Sequence, residues 1–413
     1  MRILIISMSD SIHTARWLSQ INDQGWDLHL YPSMDMGVVH PEIHHVKIHP
    51  SHYARNQTPN QNDKKNIKRY LMSAYNVFNR FRHDYFPVDR VIELNKIIQK
   101  IKPDIIHTLE TQAAGYLLSE VKQNHPKPFP PWVHTIWGSD LFLFGRLEEH
   151  KEKISKVLQQ CDYFLCECKR DIELAKNFGF NGKILPRLNG AGGLDLSECK
   201  KVSDLCRTSD RKLIMLKGYQ SFAGRSLVGL RALERCADAL KGYQIILYVA
   251  NQDVKIAAEL FSDSTGIPVQ IIPHGTPHLE MLKYHSKSRL SIGLSISDGL
   301  PNSLFEAMAM GSFPIQSWTA CTDEWIIDGE NGLLVPPEDP EIIETAIRKA
   351  LSDDELVNQA ADINEKIVAE KLDHKLLKPK AVEIYKTIAE DNRANFKTMK
   401  NRHTGEGRCP EKN

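Results

Sequence analysis

The stretch Ser297-Asp298-Gly299-Leu300-Pro301-Asn302-Ser303-Leu304-Phe305-Glu306 sets two carboxylates on either side of a Gly- and Pro-bearing turn. It follows SIGLSI, which reads as a strand. From about Asn302 or Ser303 the residues read as a helix that runs to Gly311. The first amides of a helix have no partner inside it and bind phosphate well. Glu306 falls in that first turn or just beyond it, where a carboxylate can accept hydrogen bonds from a sugar diol. Asp298, in the strand-end loop, is placed to do the same for a second sugar. A plainer account competes: a capped core helix, with Ser303 as the cap and Glu306 completing a capping box.

Other polar groups gather at strand ends. Met8-Ser9-Asp10-Ser11-Ile12-His13-Thr14 joins the first strand to the first helix. It has no glycine, so its backbone is not expected to cradle phosphate. Ser11, His13 and Thr14 could present side chains to a cleft instead; Asp10 or Ser11 as an ordinary helix cap explains the loop equally well. His107 and Glu110 close the strand DIIHTLE and are candidates for acceptor contact or general-base duty, with a locally paired buried His as the alternative. Of the eight cysteines, Cys161, Cys166 and Cys168 lie close together, the last two on one face of the strand DYFLCEC. No second spaced pair completes a zinc site, and reduced thiols are expected.

These loops need a scaffold. RILIISM, WDLHLYP and HHVKIHP read as strands, and HTARWLSQINDQG as a helix ended by Gly25, a residue that takes the left-handed conformation readily. Residues 51–88 show no clean period and are read as loop plus helix. Then follow the helix RVIELNKIIQKIKP, strand DIIHTL, helix TQAAGYLLSEVKQN, strand PWVHTIWG, helix LEEHKEKISKVLQQC, strand DYFLCEC and helix KRDIELAKNFG. Alternation at this spacing predicts a mostly parallel sheet covered on both faces. A polar, glycine-bearing stretch near 187–210 breaks the rhythm, which restarts at KLIMLKG. The expected division is a first domain over 1–190, a linker over 191–210, a second domain over 211–375, a helix over 376–392 packing back on the first domain, and a polar, disordered tail over 393–413. Two doubly wound α/β domains with one joint predict a cleft between them, because open parallel sheets bind ligands beyond the carboxyl ends of their strands.

The bulk properties narrow the field. The chain has 413 residues, 53 Lys plus Arg against 52 Asp plus Glu, and a net charge of +1. That balance gives no support to a general polyanion binder such as a nucleic-acid-binding protein, and leaves a local basic patch open. A hydrophobic share of 41% and a charged share of 25% fit a globular protein. No run of apolar residues is long enough to span a membrane. The first apolar run lacks the length and cleavage region of a signal peptide, so a cytoplasmic protein is expected.

The segment Ser297–Gly311 resembles the glutamate–seven residues–glutamate motif of the retaining glycosyltransferases of family 4, which have the GT-B fold. The likeness continues through Gly311–Ser317 and Glu324–Pro336 and extends more weakly across roughly residues 1–390. It implies two Rossmann-like parallel-sheet domains facing across a cleft. In the family's pattern Glu306 holds the nucleotide's ribose. Asp298 touches the transferred sugar with a carboxylate one methylene shorter than usual. Gly299 and the amides of Asn302, Ser303 and Leu304 hold the phosphates. Pro273-His274-Gly275-Thr276 resembles the base-binding loop, which makes Gly275 and Thr276 donor contacts and leaves His274 an alternative role as a surface residue.

The family's basic pair falls on Lys217–Ser226. Gly218-Tyr219 stands where the family has Gly-Arg, and Arg225 falls near the family's Lys. Arg225 is thus the favoured cation for the departing pyrophosphate, with Lys217 a weaker candidate and a solvent-facing Arg225 the alternative. Trp137-Gly138-Ser139-Asp140 resembles the segment that usually carries a His facing the transferred sugar, and matches a subgroup with Trp there. Trp137 could stack on a sugar face or pack on the sheet end, and Asp140 joins the catalytic candidates.

The resemblance implies retaining transfer from a UDP- or GDP-linked sugar to a saccharide or lipid-linked saccharide, as in bacterial surface polysaccharide synthesis. It implies no required metal or other cofactor, and peripheral contact with the inner face of the plasma membrane would fit. A nucleotide-sugar epimerase or a phosphorylase remains an alternative. So does a non-catalytic relative, which Asp298, Tyr219 and Trp137 favour and Glu306 and Arg225 oppose. A nicotinamide oxidoreductase would need a Gly-rich turn that SMSDSIHT lacks.

Overall fold

The computed structural model describes residues 1–34, 38–49, 89–204 and 206–405, with side chains as far as residue 394. The loop and helix expected over 51–88 lie outside the described residues. The chain forms two lobes, each built on a wholly parallel sheet.

The first sheet contains β1 (Arg2–Ser7), β2 (Asp27–Pro32), β3 (Lys47–Ile48), β4 (Ile105–Leu109), β5 (Trp132–Thr135), β6 (Tyr163–Leu165) and β7 (Lys183–Ile184), in the order β3-β2-β1-β4-β5-β6-β7. The second contains β8 (Leu213–Lys217), β9 (Gln244–Tyr248), β10 (Val269–Ile271), β11 (Ser288–Gly293), β12 (Phe313–Ser317) and β13 (Leu333–Val335), in the order β10-β9-β8-β11-β12-β13. Ile3, Leu4, Ile5 and Ile6 of β1 are all fully buried. A strand covered on both faces has no polar alternation, which is why RILIISM reads as a continuous apolar run.

Each sheet reverses its order once, between β1 and β4 and between β8 and β11. Crevices open at such switch points, beyond the carboxyl ends of the strands. At the carboxyl ends of β1, β4, β8 and β11 lie Ser11 with the helix start at His13, Glu110, Lys217 at the end of β8 itself, and Asp298.

Several elements differ from expectation. The first helix spans only Ile12–Ser19, and the chain turns onward to Gly25 at φ +67°. β6 ends at Leu165, so Cys166 and Cys168 lie beyond the strand, with the Cys166 thiol donating to the Cys168 carbonyl at 3.3 Å. β7 pairs with β6 through only two residues, too few to show an apolar period. The linker holds a helix, Leu196–Val202, capped by Asp195. The last helix, His374–Gly405, continues through residues 393–405, where a disordered tail was expected.

The second lobe's chain returns to the first. Leu194 N–H donates to Leu372 O at 2.8 Å, and His374 N–H to Leu194 O at 2.9 Å. The last helix then buries Leu377, Ala381, Val382, Ile384, Tyr385 and Ile388 in one cluster with Ile3, Ile5, Trp17 and Leu18. Tyr385 accepts from Trp17 Nε1 at 2.8 Å and meets His107 Nδ1 at 2.7 Å. No helix among the described residues is long and apolar enough to cross a membrane.

Candidate active site

The helix Asn302–Ala309 starts after Pro301, and no side chain caps it. Ser303 is therefore not the cap, and Glu306 completes no capping box. Glu306 instead accepts from His278 Nε2 at 2.9 Å, with His285 Nε2 3.7 Å from its other oxygen. Burial pushes the Glu306 carboxyl up. The His278 hydrogen bond, His285 and the more distant Arg16 outweigh it, and its pKa settles below the ordinary value. A carboxylate that stays ionised while buried is ready to accept from a diol.

At the other end of the loop, Lys217 Nζ lies 3.7 Å from Asp298 Oδ2 and 5.9 Å from the Tyr219 ring centre. The loop itself is pinned. Asp298 O accepts from Arg170 at 3.0 Å, Gly299 O from Cys321 N at 3.0 Å, and Glu167 Oε2 from Leu300 N at 3.3 Å. Arg170 and Glu167 belong to the first lobe, so the lobes meet at this loop. Gly138 and Gly299 make the meeting possible: a Cβ on Gly138 would come within 2.1 Å of Gly299 N. Ser139 and Ser297 join the lobes through their hydroxyls at 2.9 Å.

The first lobe faces this loop with its first helix and Trp137. The His13 ring sits 5.3 Å from the Trp137 ring. Burial lowers the His13 pKa, Arg16 and Lys217 lower it further, and Asp298 opposes them. That Asp298 and Lys217 act on His13, and Arg16 on Glu306, places this helix, from its first turn to its last, near the two carboxylates. At neutral pH His13 is an uncharged imidazole, able to accept or donate a hydrogen bond.

Other expected residues sit elsewhere. Arg225 Nε pairs with Glu338 at 2.9 Å and Nη1 with Gly224 O at 3.0 Å, so its guanidinium ties down its own loop. His107 is fully buried, bonded to Tyr385 and to Thr135 at 2.6 Å, and burial pulls its pKa to about 3. It does not reach the cleft. Glu110 is buried at the start of the turn Thr111–Gly115, accepting from Ala113 N at 2.8 Å and from Ala114 N. Burial pushes its pKa to about 7. Asp140 is also buried and accepts from Thr111 N at 2.6 Å and Trp137 N at 2.7 Å, so it positions Trp137. The Ser11 hydroxyl accepts from His13 N at 3.2 Å, the work of a cap. Gly275 takes φ +82° in an exposed turn closed by Thr276 Oγ1 on Pro273 O at 2.8 Å; His274 is exposed beside it. Gly218 N–H donates to Tyr248 O at 2.7 Å, which fixes the chain leaving β8.

Sequence reasoning missed His278, Arg16, Glu167 and Arg170. His278 lies four residues past His274, at the start of the next helix, and nothing in its spacing to Glu306 marks the contact. Among the described residues, three groups that could share a metal come together: Cys168, Cys321 and Glu324. Both oxygens of Glu324 are already engaged, one by Lys169 N–H and one by Arg187.

Two family models match the sequence: Glycosyl transferases group 1 over residues 231–367, and Glycosyl transferase 4-like over residues 57–167. No curated protein matches it. Among solved structures the chain is similar to a sucrose-phosphate synthase from Thermosynechococcus elongatus, with TM-score 0.67, 15% identity, and coverage of 94% of this chain and 99% of that one. It is similar to the Anabaena protein Alr3699/HepE solved in complex with UDP-glucose, with TM-score 0.65, 12% identity, and coverage of 94% and 100%. It is also similar to a glycosyltransferase from Rickettsia africae, with TM-score 0.63, 15% identity, and coverage of 94% and 98%. At these identities the likeness establishes a shared fold, the GT-B arrangement of two parallel-sheet lobes across a cleft.

Proposed function

We propose that this chain, a glycosyltransferase of the GT-B fold in the broad sense, moves a sugar with retention from a UDP- or GDP-linked donor to a saccharide or lipid-linked saccharide. One observation carries the reading. Asp298 and Glu306 flank an uncapped helix start at the second lobe's switch point and face His13 and Arg16 of the other lobe.

In this reading the diphosphate lies against the amides of Asn302, Ser303 and Leu304, where helix polarity favours negative charge. Glu306, held by His278, takes the ribose hydroxyls. Gly275 and Thr276 border the base. Asp298 takes a hydroxyl of the transferred sugar, and His13 and Trp137 border that sugar and the acceptor. The anomeric carbon's bond to phosphate oxygen breaks as its bond to the acceptor oxygen forms on the same face. The departing phosphate oxygen collects the acceptor's proton. Lys217 and the helix amides supply the positive charge this needs, without a metal.

Arg225 was the cation favoured from sequence; the Glu338 pair moves Lys217 ahead of it. That pair involves a largely exposed carboxylate, so it is worth about 0–1 kcal/mol and could yield to a phosphate. The Anabaena structures are complexes with UDP-glucose and with UDP, which supports a UDP-type donor. A cytoplasmic site, with the acceptor presented at a membrane's inner face, completes the reading.

The test is thermal stabilisation by UDP, GDP and ADP, followed by NMR of the product's anomeric configuration. One nucleoside diphosphate is expected to stabilise the protein selectively, and the donor's configuration is expected to persist. Glu306→Gln should weaken that nucleotide's binding about tenfold, roughly 1.4 kcal/mol. An inverted product, or undiminished binding to Glu306→Gln, would end the reading.

A further inference from the structure

A cavity of about 440 Å3 lies at the joint between the lobes, next to the donor loop but lined by neither Asp298 nor Glu306. Its apolar lining comes from Leu188, Leu300, Leu372, Leu377 and Trp325. Its charged lining is lopsided: Lys169, Arg187, Lys371 and Lys380 against Glu167 and Glu324.

Most of the negative charge is already spoken for. Glu324 receives Arg187 on one oxygen and the Lys169 amide on the other. Glu167 accepts from Gly190 N at 2.7 Å and Leu300 N at 3.3 Å, and burial raises its pKa to about 7. The ammonium groups of Lys169, Lys371 and Lys380 have no carboxylate partner among the described residues; Lys371 lies 5.7 Å from the Trp325 ring centre.

Asn189 supplies the second, independent sign. It lines the cavity and is 7% exposed. Its Oδ1 accepts from Gly193 N at 3.3 Å, which leaves Nδ2 as the free end. Nδ2 is a buried donor without a partner among the described residues. Buried donors are nearly always satisfied, so an open one on a residue that lines the cavity leaves a hydrogen bond to be made there once the side chain turns toward it.

We propose that this cavity is a second binding site, for a small phosphate-bearing anion. Three ammonium groups and an arginine on one cavity lining suit a multiply charged oxyanion better than a single carboxylate. The volume leaves room for a small organic group against Trp325 and the leucines. The cations come from both lobes: Lys169 from the first, Lys371 from the end of the second lobe's helix Asp354–Lys371, and Lys380 from the returning helix. A bound anion would therefore clamp the lobes together. Leu300 lines the cavity and begins the turn into the helix Asn302–Ala309, so the clamp also bears on the donor loop. By reciprocity, an anion held there and a nucleotide held at the donor loop change each other's affinity by the same factor.

The experiment is isothermal titration with glycerol 3-phosphate and, separately, with inorganic phosphate, on the protein alone and on protein saturated with UDP. One anion per chain is expected to bind in both states. The variant Lys371→Glu/Lys380→Glu should bind it at least tenfold more weakly, while Lys217→Ala binds it as wild type does. Asn189→Ala should weaken it several-fold with the fold intact by thermal melt. Tighter binding of the ester assigns the site to a phosphorylated metabolite, and equal binding assigns it to free phosphate; both support the site. Loss of anion binding in UDP-saturated protein or in Lys217→Ala, with no loss in the double variant, would place the anion at the donor loop and overturn the proposal. So would absence of binding at millimolar concentrations. Failure of UDP itself to bind would count against the donor reading and leave the variant comparison intact.

Discussion

A methyl group on Gly138 would meet the donor loop head-on. Gly138 sits at φ +93°, a region where a residue with a Cβ carries about 1–3 kcal/mol of strain. That Cβ would lie 2.1 Å from Gly299 N, 2.3 Å from Gly299 Cα and 2.7 Å from the Asp298 carbonyl carbon, where ordinary contact begins at 3.4 Å. All three are backbone atoms, so no side chain can rotate aside. The loop cannot slide freely either, because Arg170, Cys321 and Glu167 hold three successive residues of it. Something must move by about 1 Å, since packed interiors do not compress. A misplacement of that size near reacting groups costs about 100-fold in rate, or about 2.7 kcal/mol of barrier.

Gly138→Ala is therefore expected to lower kcat about 100-fold while the protein stays folded, because each lobe keeps its own buried core. The assay is steady-state transfer or donor hydrolysis, with a thermal melt run beside it. Ser139→Ala is the control: it loses a 2.9 Å hydroxyl contact at the same joint but adds no clash, and kcat should change less than about fivefold. A Gly138→Ala enzyme with kcat within threefold of wild type would show that the lobes do not work in this closed arrangement, and the reasoning from the joint would fall.

Lys217→Ala should lower kcat by about 10²-fold or more, as loss of a transition-state charge does, while Arg225→Ala costs less than about tenfold because its guanidinium already rests on Glu338; equal damage in steady-state kinetics would show that Arg225 leaves Glu338 for the donor. Tyr385→Phe strands Trp17 Nε1 and His107 Nδ1 in the core, so urea unfolding should show a loss of about 1–3 kcal/mol; a change under 0.5 kcal/mol would mean the three groups are not joined. Glu110 has its folded pKa raised from 4.5 to about 7, so between those values the folded state holds a proton the unfolded chain lacks, and its contribution to stability falls as pH rises through that window and levels off above it. Urea midpoints at pH 5 and pH 8 should differ less in Glu110→Gln than in wild type, and identical slopes would refute the assignment.

The architecture was the legible part, because it rests on long-period patterns. β1 is buried on both faces and announces itself as an apolar run over Ile3, Leu4, Ile5 and Ile6, whereas β11, equally buried, carries Ser288, Arg289 and Ser291 among its six residues. The switch-point loops follow from alternation alone, and with them the region of Asp298, Lys217 and His13. What stayed illegible depends on pairings across large sequence distances. His107 and Glu110 end a strand at the correct edge, but a strand's alternation says only which face a side chain takes. It cannot say that the returning helix, 278 residues later, brings Tyr385 to occupy His107 from inside.

Arg225 shows the same limit from the opposite side. Its place at the start of the helix Ser226–Arg235 is local and readable. Its partner Glu338, 113 residues away, is not. The lobe joint is the hardest case. Glu167, Arg170 and Gly138 look like an ordinary strand end, helix start and turn, and their importance exists only because the second lobe's loop lies against them. Interlobe geometry is set by the sum of many weak contacts, none with a period of its own. A site built between two lobes is therefore legible from sequence on each lobe's own loops, and illegible wherever one lobe positions the loop of the other.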